Sequence, residues 1–309
     1  MSSAASVDRT SPRSGKVLVT GGTGFVGPKI VRALRGDEQP VRCLVRDRRK
    51  ALQLETWGCE LVEGDITDAG SLRRSVAGCD AVVHLVAIIV GGPREFDRVM
   101  SQATRDLVAA AEAEGVRRFV LMSALGTSER SKDLVPYYRS KWEMEAVVKS
   151  SGLDYVILRP SFVFGRGGGV LPMFVRQVRL SPIVPIVGDG TRRLQPIWVG
   201  DVATFFAGAV RLPTAAKRTF ELGGPDAVTW NELYATIARV LGKRRAALHL
   251  PFGVVRVAAA LAERLPRPPI TRDQLTMLSF EDSVCDPAPA IETFGVHPIG
   301  LEEQLRRVM

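Results

Sequence analysis

A short apolar strand that breaks into glycines constrains this chain more than any other feature. The apolar run Lys16–Thr20 is followed by glycines at positions 21, 24 and 27, and an apolar pattern then resumes at Ile30. This order predicts a strand, a tight turn and a helix. In that context the GxxGxxG spacing indicates a dinucleotide site. Gly21 would permit the turn, Gly24 would let backbone approach a pyrophosphate, and Gly27 would let the helix pack closely on the strand.

The rest of the first half alternates predicted strands with predicted helices. Strands are expected at 40–45, 60–64, 81–87 and 118–122. The run at 81–87 is apolar almost throughout, which is typical of a strand buried on both faces of a parallel sheet. His84 lies inside this run, where a core role is favoured over catalysis. The alternation predicts an α/β fold, a Rossmann-type doubly wound parallel sheet whose ligands lie beyond the carboxyl ends of the strands.

Composition sets limits on the function. Hydrophobic residues make up 46% and charged residues 24% of the 309 residues, an ordinary globular balance. The net charge of +9 is dispersed and no nucleic-acid-binding signature accompanies it, so no nucleic-acid partner is expected. Four scattered cysteines and three histidines indicate neither a disulfide framework nor a metal site, which fits a reducing cytoplasm. No apolar run reaches the roughly 18 residues that a membrane span needs.

The end of the second predicted strand indicates which dinucleotide is preferred. An acidic residue at this position bonds the adenosine ribose hydroxyl, whereas an arginine accommodates a 2′-phosphate. Arg46 stands here, followed by Asp47, Arg48 and Arg49. We therefore expect NADP(H) to be preferred, with Arg46 as the main phosphate partner and NAD(H) as the alternative cofactor. The competing interpretation is that these charges only face solvent.

Three residues form the candidate catalytic group. Ser123 ends the predicted strand at 118–122, and Tyr137 and Lys141 lie four residues apart on one face of the next predicted helix. A tyrosine with a pKa of about 10 needs a neighbouring cation to act in proton transfer at neutral pH, and Lys141 would supply it. Ser123 would hydrogen-bond the substrate oxygen, with Thr127 as the fallback. Such a site suits proton transfer coupled to hydride transfer.

These motifs resemble the short-chain dehydrogenase/reductase family in its extended or atypical form, from Lys16 onward. The matching segments are the cofactor loop 19–27, the adenine-contacting pair 65–66, the strand motif 84–87 beside the nicotinamide, the segment 158–165 whose backbone faces the nicotinamide, and the stretch 195–202 that returns the chain to the nucleotide domain. The segments 123–126, 137–141 and 265–275 most resemble one subgroup. This subgroup is typified by the nucleotide-binding accessory subunit of mitochondrial complex I, with bacterial relatives termed NAD-dependent epimerase/dehydratases.

The motifs and the resemblance together give a set of expected site residues. The expected catalytic residues are Tyr137, Lys141 and Ser123. The expected cofactor contacts are Gly21, Thr23, Gly24, Phe25, Val26, Gly27, Arg46, Asp65, Ile66, Leu85, Ala87, Lys141, Pro160, Phe162 and Val163. Two departures from the family pattern matter: Met100 lies near the position where extended members often carry Asn, and Ala124 stands where epimerase-like members often place their hydroxyl. Met100 argues against a proton relay at its position, and Ala124 leaves Ser123 as the best available hydroxyl.

The chain is expected to divide into two folded parts after a disordered tail at 1–14. An NAD(P)-binding domain would span 15–170, with the chain returning to it at about 195–222, and a smaller C-terminal substrate lobe would span 171–309. The apolar stretch Phe252–Leu265 is expected to pack in the lobe core rather than on a partner or a membrane, because a membrane-surface helix should carry more Lys and Arg.

The function expected from these residues is NADP(H)-dependent oxidoreduction of a carbonyl or hydroxyl group of a small molecule. Tyr137 would be the general acid/base, and Lys141 would lower its pKa and hold the nicotinamide ribose. The alternatives are a nucleotide-sugar epimerase or dehydratase, and a non-catalytic accessory or redox-sensing subunit that holds NADPH, similar to that of complex I. A small-molecule substrate is the expected partner and the cytoplasm the expected location. Peripheral membrane or respiratory-complex association and the oligomeric state are left open.

Overall fold

Parallel strands form the central sheet of the protein. The structure, a computed structural model, describes residues 15–263 and 270–309; the predicted tail at 1–14 and the motif residues 265–269 lie outside these ranges. The strands are β1 (Val17–Thr20), β2 (Val41–Val45), β3 (Glu60–Glu63), β4 (Ala81–His84), β5 (Arg118–Met122), β6 (Asp154–Pro160), β7 (Val163–Phe164), β8 (Ile183–Val187), β9 (Arg193–Leu194), β10 (Ile197–Trp198), β11 (Arg218–Leu222), β12 (Val228–Thr229) and β13 (Ala246–Leu250).

Helices connect these strands and cover the sheet. They are α1 (Gly27–Gly36), α2 (Leu52–Thr56), α3 (Ala69–Val76), α4 (Pro93–Phe96), α5 (Ala103–Ala113), α6 (Pro136–Ser150), α7 (Leu171–Leu180), α8 (Val199–Arg211), α9 (Trp230–Val240), α10 (Phe252–Ala262), α11 (Arg272–Phe280), α12 (Ala288–Phe294) and α13 (Leu301–Val308). A π-helical turn at Asp97–Gln102 joins α4 to α5, so the helical stretch from Pro93 to Ala113 contains an irregular turn.

The central sheet has seven strands in the order β11-β6-β5-β4-β1-β2-β3. All neighbouring pairs are parallel. This arrangement confirms the predicted Rossmann-type doubly wound fold. The chain runs outward from β1 to β2 and β3, then crosses back to β4 on the other side of β1. That reversal creates a crevice at the carboxyl ends of β1 and β4, where this class of fold binds its ligands.

The alternation along β1 shows why its sequence is continuously apolar. Val17 and Val19 face one hydrophobic core, which also contains residues of α1 and α8. Leu18 faces a second core, on the other side of the sheet, built with residues of α3, α5 and α6. A strand buried on both faces needs apolar side chains at every position. The sheet is therefore a rigid platform for the side chains and loops at its carboxyl edge.

The C-terminal part of the chain builds a smaller third core and returns twice to the sheet. The third core is formed mainly by residues of α7, α9, α13 and β8. Between these elements, α8 packs against α1 and β11 joins the edge of the central sheet beside β6. The helix α12 contacts α8 and β11. Outside the central sheet, β8 pairs with β13, β9 with β12 and β7 with β10.

The helix α10 differs from the expectation of core packing for Phe252–Leu265. Ala259 is its buried residue, while Val254, Val257 and Leu261 are exposed. The prediction of core packing is wrong for the side of α10 that carries these three exposed residues, because the lobe core is already filled by the side chains of α7, α9 and α13. None of the helices within the described residues is both long enough and apolar enough to cross a bilayer.

Candidate active site

The glycine loop between β1 and α1 has the geometry of a phosphate cradle. Gly21 has a φ of 78°, a left-handed conformation that other residues rarely adopt. The Gly24 N–H donates to the Gly21 carbonyl oxygen at 3.1 Å, which closes the turn. Thr23 and Gly24 are exposed, and no side chain caps the N-terminus of α1. Pro28 has no N–H and the Lys29 N–H donates to the Val26 carbonyl oxygen, whereas the N–H groups of Phe25, Val26 and Gly27 have no partner among the described residues. These three groups and the positive end of the helix dipole are available to an anion.

The loop has little room for side chains at Gly27 and open space beside Gly24. A Cβ atom on Gly27 would lie 2.3 Å from the Gly21 carbonyl oxygen, so this helix–strand contact requires glycine. A Cβ on Gly24 would meet only that same oxygen, at 3.3 Å, and would otherwise fill the open cradle. Phe25 turns away from the cradle, since its ring packs against Gly168 and Gly169, and Val26 is buried in the first core. The predicted contacts of the last two residues are therefore through backbone.

Arg46 lies exposed at the end of β2, next to the crevice. It makes no hydrogen bond or ion pair with any residue of the described ranges, whereas Arg48 pairs with Glu55 and Arg49 with Asp47. Thr67 donates from its N–H and its hydroxyl to Asp65, and these bonds lower the pKa of the Asp65 carboxyl. Arg46 is close enough to lower that pKa further. Asp65 and Ile66 thus stand beside Arg46 at the adenosine side of the predicted site.

The residues predicted beside the nicotinamide follow β4 and β6. Leu85 continues the pairing of β4 with β1, because its N–H donates to the Thr20 carbonyl oxygen at 3.1 Å. Leu85 is in contact distance of Gly21, so this segment and the glycine loop meet. Ala87 is exposed beyond it. The backbone oxygens of Pro160 and Phe162 accept hydrogen bonds from Leu125 and Ile197, and Val163 follows at the start of β7.

Tyr137 lies in the first turn of α6 with its ring against Phe96 and Tyr138. Its hydroxyl has no hydrogen-bond partner among the described residues. Burial raises the pKa of Tyr137, so the expectation that Lys141 lowers it is wrong for this structure, and the phenol carries its proton at neutral pH. The neighbouring Tyr138 is more deeply buried and packs against Gly126. Tyr137 is thus the tyrosine of the pair that can offer a proton to a bound molecule.

Lys141 lies one turn after Tyr137 on the same face of α6. Its side chain is 1% exposed, and its Nζ donates to the Met122 carbonyl oxygen at 2.7 Å. The Nζ lies 5.8 Å from the centroid of the Tyr137 ring. Burial lowers the pKa of Lys141 to about 8, since a charged ammonium is poorly solvated there. The structure therefore brings the predicted pair together at the carboxyl end of β5.

Ser123 does not point toward a substrate position in this structure. Its hydroxyl donates to Glu145 Oε1 at 2.6 Å, and the side chain is buried. The Thr127 hydroxyl donates to the Ala124 carbonyl oxygen at 2.8 Å, so it is also engaged. A hydroxyl has a single proton to donate. The geometry therefore disfavours both residues as donors to a substrate oxygen.

Glu145 is a residue of this region that the motifs did not indicate. It is buried on α6, and Arg159 on β6 donates to both of its carboxylate oxygens at 2.7 Å. Lys149 adds a second cation at 2.9 Å. Although burial acts to raise it, the pKa of Glu145 is lowered by these partners. The signal was in the sequence, because Glu145 lies four residues after Lys141 on the same helix face.

His84 has a structural role, in line with the sequence interpretation. The Thr104 hydroxyl donates to the Met100 carbonyl oxygen at 2.6 Å, so it can only accept from His84 Nε2, 3.0 Å away. His84 Nδ1 then accepts from the Thr20 hydroxyl at 2.7 Å. Burial lowers the pKa of His84 to about 3, which keeps the ring neutral. The ring ties β1, β4 and α5 together beneath the crevice.

A cavity of about 620 Å³ opens beside Tyr137. Its volume is that of a site for a small organic molecule. One wall belongs to the segment after β4 and to α6, and the other wall belongs to α10 and α11. The lining residues are Ile89, Val90, Gly91, Phe96, Leu134, Tyr137, Arg256, Glu263, Thr271, Arg272, Asp273, Gln274, Thr276 and Met277. The phenol of Tyr137 thus lies where the nucleotide domain meets the C-terminal lobe.

Comparison with known families agrees with this geometry. Residues 21–169 match a family described as NAD(P)H-binding, and residues 127–283 match one described as an RmlD substrate binding domain. The first match contains the glycine loop and the second contains the lobe wall of the cavity. The chain therefore carries an NAD(P)H-binding domain joined to a substrate-binding region of the epimerase/reductase class.

Individual relatives cover most of the chain. A ceramide reductase of Caulobacter vibrioides is 32% identical over 81% of this chain and 78% of its own length. Subunit 9 of the NADH dehydrogenase (ubiquinone) 1 alpha subcomplex of Mus musculus is 30% identical over 97% of this chain and 82% of its own. The fold matches that of a UDP-glucose 4-epimerase of Thermotoga maritima with a TM-score of 0.73 at 22% identity, over 95% and 97% of the two chains. The chain belongs to the extended or atypical short-chain dehydrogenase/reductase family, which confirms the resemblance seen in the motifs.

The expectation about partners needs a correction. The sequence analysis placed a small-molecule substrate first and left respiratory-complex association merely open. Relatives that are subunits of mitochondrial NADH dehydrogenase align with 97% of this chain, in rat as in mouse. Membership of an NADH dehydrogenase subcomplex is therefore found among proteins that share nearly the whole length of this chain, and the expectation that named only a small-molecule substrate as the partner is wrong in giving this association no weight.

Proposed function

We propose that this protein is an NADP(H)-dependent oxidoreductase that reduces a carbonyl group of a small molecule bound in the cavity beside Tyr137. One observation carries the proposal: the Tyr137 phenol has no hydrogen-bond partner among the described residues and lies on the wall of that cavity, where burial raises its pKa. Reduction of a carbonyl needs a proton donor at the oxygen. The name of the ceramide reductase relative supports a reductase as well.

The residues around the cavity have separate tasks in this proposal. A bound nicotinamide would supply the hydride. Tyr137 would donate its proton to the substrate oxygen as negative charge develops there. The Lys141 ammonium, 5.8 Å from the Tyr137 ring centroid, would stabilise the phenolate that remains and would hold the nicotinamide ribose. Glu145 and Arg159 would position α6 against β5 and β6 without touching the reacting atoms.

Oxidation of NADPH in the presence of carbonyl compounds and quinones tests this proposal. Tyr137→Phe should lower kcat by about 10²- to 10⁴-fold, the usual contribution of a general acid. Tyr138→Phe is the matched control, because it removes a hydroxyl from the adjacent ring, which does not line the cavity. NADPH loss that persists in Tyr137→Phe at the wild-type rate would exclude Tyr137 as the acid.

The preference for NADP(H) is the finer part of the proposal, and Arg46 carries it. Its guanidinium is exposed at the end of β2 and has no partner in the described ranges, so it is available to a 2′-phosphate. Arg46→Ala should weaken NADPH binding at least tenfold, about 1.4 kcal/mol, and leave NADH binding nearly unchanged. Arg49→Ala is the control, since Arg49 is held by Asp47. Equal affinities of the wild type for the two cofactors would refute the preference.

A nucleotide-sugar epimerase or dehydratase is the second candidate. The RmlD substrate binding match over residues 127–283 favours it, because that region supplies the lobe wall of the cavity. Such an enzyme uses its cofactor without net consumption. Conversion of a UDP-sugar by the protein loaded with NAD(P)+, with no net reduction of that cofactor and with loss of the activity in Tyr137→Phe, would favour this candidate over the reductase.

A third candidate is a subunit that holds NADPH without catalysing a reaction, as the alignment with the mammalian NADH dehydrogenase subunit suggests. Pull-down of the protein from its native membranes with subunits of a respiratory complex would support it. The intact Tyr137 and Lys141 pair favours retained chemistry. A purified protein that turns over substrate at a rate dependent on Tyr137 would show that the chain is not only a structural subunit.

A further inference from the structure

Two surface segments of the C-terminal lobe combine exposed apolar side chains with purely basic charge. We call them together the basic-apolar face; they comprise residues 171–188 and 240–262. The segments contain six basic residues and no Asp or Glu: Arg176, Arg179, Lys243, Arg244, Arg245 and Arg256. The exposed large apolar side chains are Met173, Leu180, Ile183, Leu248, Val254, Val257 and Leu261, each between 49% and 70% exposed.

The strand pair β8–β13 supplies the first part of this face. Ile183 pairs with Ala246 and Pro185 with Leu248, so these four side chains project from one side of the two-stranded sheet. All four are exposed. The alternate residues Val184 and Ile186 are buried in the lobe core. The outer side of this parallel strand pair is thus apolar although it faces solvent. Parallel strands usually have both faces covered, so an exposed apolar side is unusual.

The helix α10 supplies the second part and follows β13 directly. Val254, Val257 and Leu261 are spaced i, i+3 and i+7, which places them on one stripe of the helix. Each is at least 60% exposed. Phe252, at the start of α10, packs beside Gly188 at the end of β8, so the helix begins in contact with the strand pair.

Most of the basic side chains lie at the other end of the strands, whereas Arg256, on α10, lines the cavity beside Tyr137. Lys243, Arg244 and Arg245 lead directly into β13, and Arg245 donates to the Val178 carbonyl oxygen at 2.7 Å. This bond places them next to Arg179 at the end of α7. Arg179, Lys243 and Arg244 are exposed and form no ion pair within the described ranges. Their charge is therefore available to an external anion.

We propose that the basic-apolar face docks on the surface of an anionic lipid bilayer. Exposed Val, Leu and Ile side chains can enter the boundary between head groups and acyl chains, while Lys and Arg attract anionic head groups. The complete lack of acidic side chains in the two segments gives the charge complementarity that a bilayer of this kind requires. A second copy of the chain fits poorly, because a symmetric contact would bring like charges together.

Co-sedimentation with vesicles tests this inference on the full-length protein. Wild type should bind vesicles of phosphatidylcholine with phosphatidylglycerol and should not bind vesicles of phosphatidylcholine alone; added salt should weaken the binding. The double variant Lys243→Ala with Arg244→Ala should bind about thirtyfold more weakly. Val257→Glu should reduce binding to the level of neutral vesicles. Leu52→Glu is the matched control, because Leu52 is 55% exposed on α2, outside the face.

Several results would overturn the inference. Equal binding to neutral and anionic vesicles would remove the role of the basic residues, and no binding to either would remove the docking surface. A loss in Leu52→Glu as large as that in Val257→Glu would show that the position of the substitution is irrelevant. Sedimentation equilibrium adds the last arm: a wild-type dimer that Val257→Glu dissolves would assign the face to a second copy. Unchanged thermal unfolding of each variant checks that it is folded.

Discussion

The nucleotide domain and the C-terminal lobe use apolar residues in opposite ways. In the central sheet, strands such as β1 and β4 are buried on both faces, and helices cover both sides. In the lobe, β8 buries Val184 and Ile186, but its partner β13 is exposed over residues 246–249, so the apolar outer side of the pair faces solvent. An apolar pattern therefore indicates core packing where a second layer of structure covers it. Where no second layer covers it, the same pattern indicates an interaction surface.

The two regions also handle charge differently. In the nucleotide domain, the buried Glu145 is surrounded by Ser123, Lys149 and Arg159, so its charge is compensated within the fold. On the basic-apolar face, several cations have no compensating carboxylate in the described ranges. Charge in the first region therefore stabilises the position of α6, whereas charge in the second is available to a partner.

The largest expected effect is on the buried ion cluster of the nucleotide domain. Glu145→Ala would leave the largely buried Arg159 with only the more exposed Glu221, at 3.4 Å, as a carboxylate partner and should lower the free energy of unfolding by about 3 kcal/mol. Because the pKa of Glu145 is lowered from its ordinary 4.5, the contribution of the cluster is present above that pH and is lost as the pH falls through the folded-state pKa. Urea unfolding at several pH values measures both effects.

A surface ion pair provides the control for Glu145. Glu303 and Arg307 form an exposed i,i+4 pair on α13 at 2.9 Å. Glu303→Ala should cost only about 0.3–0.5 kcal/mol, as expected of a solvent-exposed pair on a helix. Similar losses in both variants would mean that the burial of Glu145 adds nothing, and the contrast between the two regions would not hold for charge.

The next effect concerns Gly27, where the first turn of α1 packs closely on the backbone of the glycine loop. Gly27→Ala would place a Cβ atom 2.3 Å from the Gly21 carbonyl oxygen and 2.6 Å from the Gly22 carbonyl carbon. Backbone must move, so we expect a loss of about 1–3 kcal/mol in the free energy of unfolding and weaker NADPH binding, measured by fluorescence titration. Gly36→Ala, at the other end of α1, meets no atom within 4 Å and should be neutral or stabilising.

These contrasts explain how much the sequence alone could predict. The glycine spacing predicted the cofactor loop. The apolar runs predicted the strands of the sheet, because every residue is buried in a strand that is covered on both faces. Tyr137 and Lys141 were predictable because four-residue spacing fixes a shared helix face. The prediction that Phe252–Leu265 packs in the lobe core was wrong for the exposed residues of α10. An apolar pattern looks the same in the sequence whether its side chains pack in a core or lie on an exposed surface.

The direction of individual hydrogen bonds was beyond the sequence. Ser123 was chosen for its place at the end of β5, but Glu145, which lies 22 residues later, takes its proton. Glu145 is drawn to this position by Arg159 on β6, so three elements must be assembled before the hydroxyl has a direction. A motif gives the positions of side chains along the chain, whereas tertiary packing decides which group each hydroxyl meets.

A smaller effect should appear in the pH dependence of Lys141. Burial lowers its pKa to about 8 from the ordinary 10.5, so above about pH 8 the ammonium is lost. If the charge holds the cofactor, kcat/KM for NADPH should fall about tenfold per pH unit above that point. Stability should change in the opposite sense: between about pH 8 and 10.5 the unfolded chain binds more protons, so this group makes unfolding less favourable as pH rises.

The variant Lys141→Met separates these two pH effects. It should bind NADPH weakly at all pH values and lose the fall above pH 8, because no titrating ammonium remains. A wild-type kcat/KM that stays level up to pH 10 would contradict a cationic role for Lys141. The contribution of Lys141 to the pH dependence of unfolding should vanish in the same variant, which ties both observations to one side chain.

The smallest expected effect lies on the exposed face of α10. Val257→Ala should change the free energy of unfolding by less than about 0.5 kcal/mol, because Val257 is 64% exposed and makes few contacts to lose. The same substitution at Val83, which is fully buried in β4, should cost about 2 kcal/mol through lost burial and a cavity in the core. Chemical denaturation of the two variants measures the difference. Equal losses would mean that Val257 is covered in solution, so that the apolar stripe of α10 belongs to a packed interface of the isolated protein rather than to a free surface.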